Sequence, residues 1–179
     1  MTGAGPYLEV GCGPGLWLTR YARRHPDRLV LGLDADAAVL PDHPPGWSPL
    51  CGDLARLPLR EASVHAIIAR AVLHHITDLP AALARLAAVL RPGGILAIRD
   101  GVPLDQARFE MMNRQLTAAG RPAEPRNGLD PGLLSAALNA LGLHTRGPLI
   151  VGTGTFATPP WVPETYESQT FALHALKPC

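Results

Sequence analysis

The stretch "YLEVGCGPG", residues 7–15, constrains the fold of this chain more than any other. A short apolar run leads into Gly11, Gly13 and Gly15, and a helical pattern from Leu16 to His25 follows until Pro26 stops it. Glycines at this spacing let a backbone turn sharply and approach a ligand closely. The following helix offers amide donors and the positive end of its dipole. Both suit a phosphate or a carboxylate. A dinucleotide loop requires GxGxxG, and here Leu16 occupies the third glycine's place. Glu9 is an acceptor-only group at the strand end. It would repel a pyrophosphate and favour an ammonium, directly or through water.

Strand and helix patterns alternate after this loop. "LVLGL" (29–33) reads as a buried strand, followed by a short helix from Ala35 that ends before Pro41. "WSPLC" is a candidate third strand and "VHAIIA" (64–69) a fourth. A helix then starts at the Asp78 cap, with Pro80 in its first turn and Leu79, Leu83, Leu86 and Leu90 on one face. "RPGG" is expected to end it before the strand "ILAIR" (95–99). A helix within 101–119, a loop "GRPAEPRNG", a helix from Asp130 to Gly142 and two last strands complete the pattern. Strands alternating with helices predict an α/β fold with a mostly parallel sheet covered on both faces. One domain over 1–179 is expected, with 101–130 and 153–166 as substrate-side segments.

Two acids extend the ligand site beyond the loop. Asp34 follows the second strand, where a carboxylate can take both hydroxyls of a ribose. Asp53, in "CGDLARLPL", can accept from the exocyclic amine of a purine. Together with Glu9 these describe an amino acid end, a ribose and an adenine, without phosphate. Net charge is +1, which gives no electrostatic grip on nucleic acid or anionic lipid. No apolar run is long enough for a membrane span, and "MTGAGPYLEV" lacks a secretory pattern. Cys12, Cys51 and Cys179 form no CxxC pair. A reducing, cytoplasmic setting is expected, and the arginine-, alanine- and proline-rich composition suggests a GC-rich bacterial source.

The successive segments "YLEVGCGPG", "LGLDAD", "CGDLARLPL" and "AVLHHITDLPAALARLAAVLRPGGILAI" resemble the motifs of class I S-adenosylmethionine-dependent methyltransferases. The resemblance covers residues 7–100 closely and the remainder in outline. It implies a three-layer Rossmann-like sandwich around a seven-stranded sheet of order 3-2-1-4-5-7-6, with strand 7 antiparallel. It implies S-adenosyl-L-methionine as cofactor and S-adenosyl-L-homocysteine as product. Glu9, Gly11, Cys12, Gly13, Gly15, Asp34, Ala35, Asp53, Leu54 and Ala71 then fall on cofactor-binding positions. Leu54 contributes its backbone amide to the adenine in that scheme, and Ala71 passes beside the sulfonium.

Two features depart from the family pattern. Val64-His65 stands where many relatives carry Phe-Asp, so a small local change is expected there. Family members also carry helices before the first strand, whereas six residues precede Tyr7 here. An open site is therefore expected, or one covered by a second copy, a partner protein or the 101–130 segment.

Methyl transfer from a sulfonium is an in-line displacement in which the protein mainly supplies proximity and orientation. A general base helps only an acceptor that must lose a proton. "AVLHHITD" leaves the fourth strand at the ligand rim, so His74 and His75 are the catalytic candidates. A structural role for "LHH", packing near the cofactor or capping the next helix, competes with that reading. Asp100 ends the fifth strand at the same rim. Arg70 and Ala71 follow the fourth strand and supply no second carboxylate, and the cysteines form no zinc pattern, so no metal is expected. Phe109, Met112, Asn113, Phe156 and Trp161 are substrate-binding candidates, and Tyr166 belongs to the same loop as the last two. For Met112 core packing competes, and for Trp161 burial that pins the loop.

The expected function is methyl transfer to a small organic acceptor, in bacterial biosynthesis or specialised metabolism. The competing expectation is a protein of the same fold that binds the cofactor but catalyses a non-methylating reaction such as a cyclisation, or that needs a partner subunit. A nucleic-acid methyltransferase is disfavoured, since neither a basic stripe nor an Asn-Pro-Pro-Tyr motif is present.

Overall fold

The computed structural model describes residues 5–155 and 167–179. The sheet begins with β1 (Tyr7–Val10), β2 (Val30–Asp34) and β3 (Ser48–Cys51), which pair in parallel. β4 (Val64–Arg70) pairs parallel with β1 on the other side, and β5 (Leu90–Gly101) pairs parallel with β4. β6 (His144–Thr155) and β7 (Glu167–Leu176) complete it, and β7 runs antiparallel to both β5 and β6. The order is therefore β3-β2-β1-β4-β5-β7-β6, as the family resemblance implied.

Burial explains the strand sequences. Leu8, Val10, Ile67, Ala69, Leu96 and Ile98 are buried in the central strands, because helices cover a parallel sheet. α1 (Leu16–Arg24) buries Leu18 and Ala22 against Trp47 and Val30. α2 (Leu79–Val89) buries Leu83 and Leu86 in the main core. The Asp78 carboxylate accepts from the Ala81 amide at 3.1 Å and so caps α2. α4 (Pro131–Ala140) has the same start, with Asp130 accepting from Leu133 N at 2.9 Å, and buries Leu134 and Leu138.

Three expectations change. The helix expected from Ala35 shrinks to a 3-10 turn, Ala37–Val39, with no buried residue. Without an apolar stripe to bury, the segment gains nothing from extending into an α-helix. "RPGG" does not lie between α2 and the next strand: α2 ends at Val89 and Leu90 already pairs with Val64. The register then shifts between Val64 and Ala66, so that Ala66 pairs with Ile95. This shift falls on the Val64-His65 departure. Third, α3 (Gln106–Ala118) is a surface helix with no buried residue, so Met112 is half-exposed rather than core. The segment carrying Phe156, Trp161 and Tyr166 lies outside the described residues. Among the described residues, no helix is long and apolar enough to cross a membrane.

Candidate active site

The parallel strands bring the ends of β1, β2, β4 and β5 to one rim of the sheet, where open α/β folds bind their ligands. The glycine loop leaves β1 there. Gly11, Gly13 and Gly15 all have positive φ, at 66°, 51° and 69°. A Cβ on Gly11 would lie 2.3 Å from Val72 Cγ2, and one on Gly15 would lie 2.0 Å from Trp47 Cζ2. These two glycines are fixed by close packing. A Cβ on Gly13 would meet nothing within 4 Å among the described residues. Gly13 therefore borders open space at the rim, as a backbone position that admits a ligand should.

Asp34 ties this loop to β2. Its Oδ2 accepts from Gly13 N at 2.8 Å and its Oδ1 from Asp36 N at 3.1 Å. A carboxylate has about four acceptor sites, so the group retains capacity for ribose hydroxyls. Exposed Ala35 follows, its carbonyl accepting from Cys51 Sγ at 3.8 Å. Asp53 caps the 3-10 turn Leu54–Arg56 by accepting from Ala55 N at 2.9 Å with Oδ1. The Leu54 side chain is buried in the core, so only its backbone can serve a ligand. Cys12 likewise turns inward, against Leu18, Ala22, Val30 and Trp47. Burial, with the nearby Asp34 and Glu9 charges, pushes its thiol up to about 12.

Glu9 is 3% exposed. Its Oε1 accepts from Arg70 Nε at 2.9 Å and also pairs with the same guanidinium's terminal nitrogen. Its Oε2 is buried and has no partner among the described residues. Burial raises the carboxyl's pKa against the opposing hydrogen bond and charge of Arg70. The sequence alone missed Arg70. Yet Glu9 aligns with Ile68 across β1 and β4, and Arg70 lies two residues on, on the same face. Adjacency of strands 1 and 4 was the available signal. Arg70 also covers the Trp17 ring at 5.0 Å.

Ala71 follows β4 with φ 48°, and its amide donates to Arg99 O at 2.8 Å. A non-glycine residue in this region costs about 1–2 kcal/mol, and such strain concentrates at functional sites. The 3-10 turn Leu73–His75 comes next. Asp100, 1% exposed, anchors it: Oδ2 accepts from Leu73 N at 3.1 Å, and Oδ1 lies 2.5 Å from His74 Nδ1. Burial pulls the His74 pKa down, but the Asp100 hydrogen bond and charge, with Glu124, outweigh it and leave it raised. His75 Nδ1 lies 2.6 Å from Glu124 Oε2, and the two imidazole centroids are 3.9 Å apart. Burial would raise the Glu124 pKa, but the His75 hydrogen bond and nearby cations hold it below the usual value.

Glu124 had no signal in the sequence, because it sits in a proline-rich loop far from any motif. The structure holds that loop in place through Asn113. The Asn113 side chain accepts from Glu124 N at 2.7 Å and donates to Glu124 O at 3.4 Å. Asn113 thus positions Glu124, a role the sequence did not suggest for this substrate-contact candidate. Phe109 and Asn113 border a cavity of about 660 Å³. His75, Leu116 and Glu124 border another of about 480 Å³. Half-exposed Met112 lies on the same helix.

A seven-stranded sheet of this order, with a glycine loop and two acids at successive strand ends, defines a Rossmann-like nucleoside-binding site. The methyltransferase domain family model matches residues 8–98, and the chain belongs to that family. The cofactor of the family is S-adenosylmethionine, and the unpartnered Glu9 oxygen and the open face of Gly13 fit its amino acid end. An uncharacterized methyltransferase of Mycobacterium tuberculosis is 41% identical over 98 residues, covering 51% of this chain and 48% of its own. A trans-aconitate 2-methyltransferase of Deinococcus radiodurans is 35% identical over 130 residues, covering 69% of this chain and 48% of its own. This chain thus spans about half the length of the curated relatives it matches. Two solved structures share the fold. A phosphoethanolamine N-methyltransferase of Haemonchus contortus in complex with S-adenosylmethionine has a TM-score of 0.74 at 15% identity, covering 100% of this chain and 50% of its own. The [4+2]-cyclase SpnF has a TM-score of 0.74 at 21% identity, covering 98% and 76%.

Proposed function

We propose that this chain binds S-adenosylmethionine and transfers its methyl group to a small organic acceptor. The single observation that carries this reading is the Glu9 carboxylate. A buried acceptor without a partner is costly, and this one lies at the end of β1, beside the glycine loop. An ammonium ligand satisfies it, whereas a phosphate would be repelled. The cofactor supplies an electrophilic methyl group held on a sulfonium.

The chain's own residues then bind and orient. Glu9 takes the amino group, Gly13 gives the amino acid end its open approach, Asp34 takes the ribose hydroxyls, and Asp53 with the Leu54 backbone takes the adenine. Ala71 brings the backbone after β4 beside the reacting centre. His74, His75, Phe109 and Met112 stand on the acceptor side.

The relative that methylates trans-aconitate supports a small acid as the class of acceptor, and the net charge of +1 agrees with a small molecule rather than nucleic acid. Specialised metabolism and a second copy or partner over the site remain part of the proposal. The cyclase of the same fold supports the second reading, a non-methylating reaction that keeps the cofactor. The test is to incubate the protein with labelled S-adenosylmethionine and a panel of small carboxylic acids. Formation of S-adenosylhomocysteine with a labelled methyl ester supports methyl transfer. Conversion of an acceptor without S-adenosylhomocysteine supports the second reading.

A further inference from the structure

We propose that His74, His75 and Glu124 form a binding site for a borderline divalent cation of the zinc type. Their ligand atoms all lie within 4.8 Å of one another. Ligands at 2.0–2.1 Å around a tetrahedral ion sit roughly 3.4 Å apart, so the widest pair must close by roughly 1.4 Å. His75 has the freedom to do so, since its side chain is 48% exposed.

The surroundings have the form of a metal centre. A ligating histidine almost always donates its other ring nitrogen to a carboxylate, which fixes the tautomer and raises its basicity. Asp100 holds that place: it is fully buried, takes His74 Nδ1 at 2.5 Å, and is itself fixed by the amides of Leu73 and Gly101. His74 Nε2 is then the nitrogen left for an ion. Glu124 is positioned in turn by Asn113, which grips its backbone from α3. Two imidazoles and a carboxylate select zinc-like ions over magnesium or calcium, which prefer all-oxygen shells. Three protein ligands also leave a fourth position open, as catalytic zinc sites do.

The competing use of this cluster is a single His74 general base. A base needs one imidazole and one orienting carboxylate. The second imidazole–carboxylate pair, its ring tilted 43° to the first with centroids 3.9 Å apart, is surplus to that role and is what a metal requires. The sequence pointed to no metal, because the cysteines form no zinc pattern and Asp100 has no second carboxylate beside it; the cluster uses none of those residues as a ligand. If the methyl acceptor enters beside His74 and His75, the ion's open position can hold an oxygen donor of that acceptor. That last clause rests on the proposed methyl transfer; the metal site itself does not.

The test is a calorimetric titration with Zn2+, paralleled by Co2+ as a visible-absorption probe. One equivalent of Zn2+ is expected, with the cobalt bands of a low-coordinate nitrogen and oxygen site. Glu124→Gln keeps the side chain's shape and is expected to weaken Zn2+ binding by at least about tenfold, as is His75→Ala. Both should retain S-adenosylmethionine binding, which shows that they fold and separates this proposal from the cofactor reading. The double variant Cys51→Ser/Cys179→Ser controls for the two exposed thiols and should bind Zn2+ unchanged. Absence of stoichiometric binding overturns the proposal. So does binding that survives Glu124→Gln, or that disappears with the cysteines.

Discussion

The Gly13 amide donates to the Asp34 carboxylate at 2.8 Å, across 21 positions of sequence. One side chain at the end of β2 thereby sets the shape of the glycine loop at the end of β1. The same carboxylate is the proposed ribose acceptor, so loop geometry and ligand recognition share one group.

Loop glycines should separate into two behaviours. Gly15→Ala places a Cβ 2.0 Å from Trp47 at a φ of 69°. Trp47 is buried and its indole donates to Thr19 Oγ1 at 3.1 Å, so it cannot easily give way. We expect a loss of several kcal/mol, on the order of 3, read as a lower denaturation midpoint. Gly13→Ala meets no atom and should cost only about 1 kcal/mol of backbone strain, while cofactor affinity falls.

Glu9→Gln should divide stability from function. The Glu9 carboxyl is raised in the folded state, so the folded chain holds that proton more tightly than the unfolded chain does. The stability it contributes is complete below the unfolded pKa and is lost as pH rises through the higher folded value. As pH rises through that folded value the empty protein takes on a buried charge that a neutral amide never carries. We expect the melting temperature of Glu9→Gln without ligand to gain on wild type as pH rises, with the difference vanishing at low pH. The extra melting temperature conferred by S-adenosylmethionine should shrink.

Thiol chemistry offers a third check. Cys12 is buried and its pKa is pushed up to about 12, while Cys51 and Cys179 are exposed. Only the thiolate reacts with alkylating agents. Iodoacetamide at pH 8 should modify Cys51 and Cys179 in the native protein, by peptide mass, and reach Cys12 only after unfolding. Rapid alkylation of Cys12 in the folded protein would contradict its placement under the loop.

The cofactor half of this chain was legible because its chemistry is local. A glycine-rich turn, acids at the ends of the first three strands and a capped helix each announce themselves within a few residues. The sheet order followed from the family resemblance, and Asp78 and Asp130 were readable as helix starts because capping depends on adjacent residues. What stayed hidden depends on pairing at long range. Arg70 reaches Glu9 only because β1 and β4 are neighbours. Glu124 reaches His75 from a loop with no periodicity. The 3-10 turn Ala37–Val39 and the place of "RPGG" inside β5 were misread because tertiary context, not propensity, sets how far such a segment extends.

The central claim is that Glu9, Gly13 and Asp34 form one site for S-adenosylmethionine. Calorimetric titration of S-adenosylmethionine into wild type and Asp34→Ala tests it most directly. The account predicts one saturable site in the wild type. In the variant, affinity should fall about 10- to 100-fold, the equivalent of about 1.5–3 kcal/mol for hydrogen bonds to a charged group, while the fold is retained by circular dichroism. Unchanged affinity in Asp34→Ala, or no binding by the wild type, would contradict it.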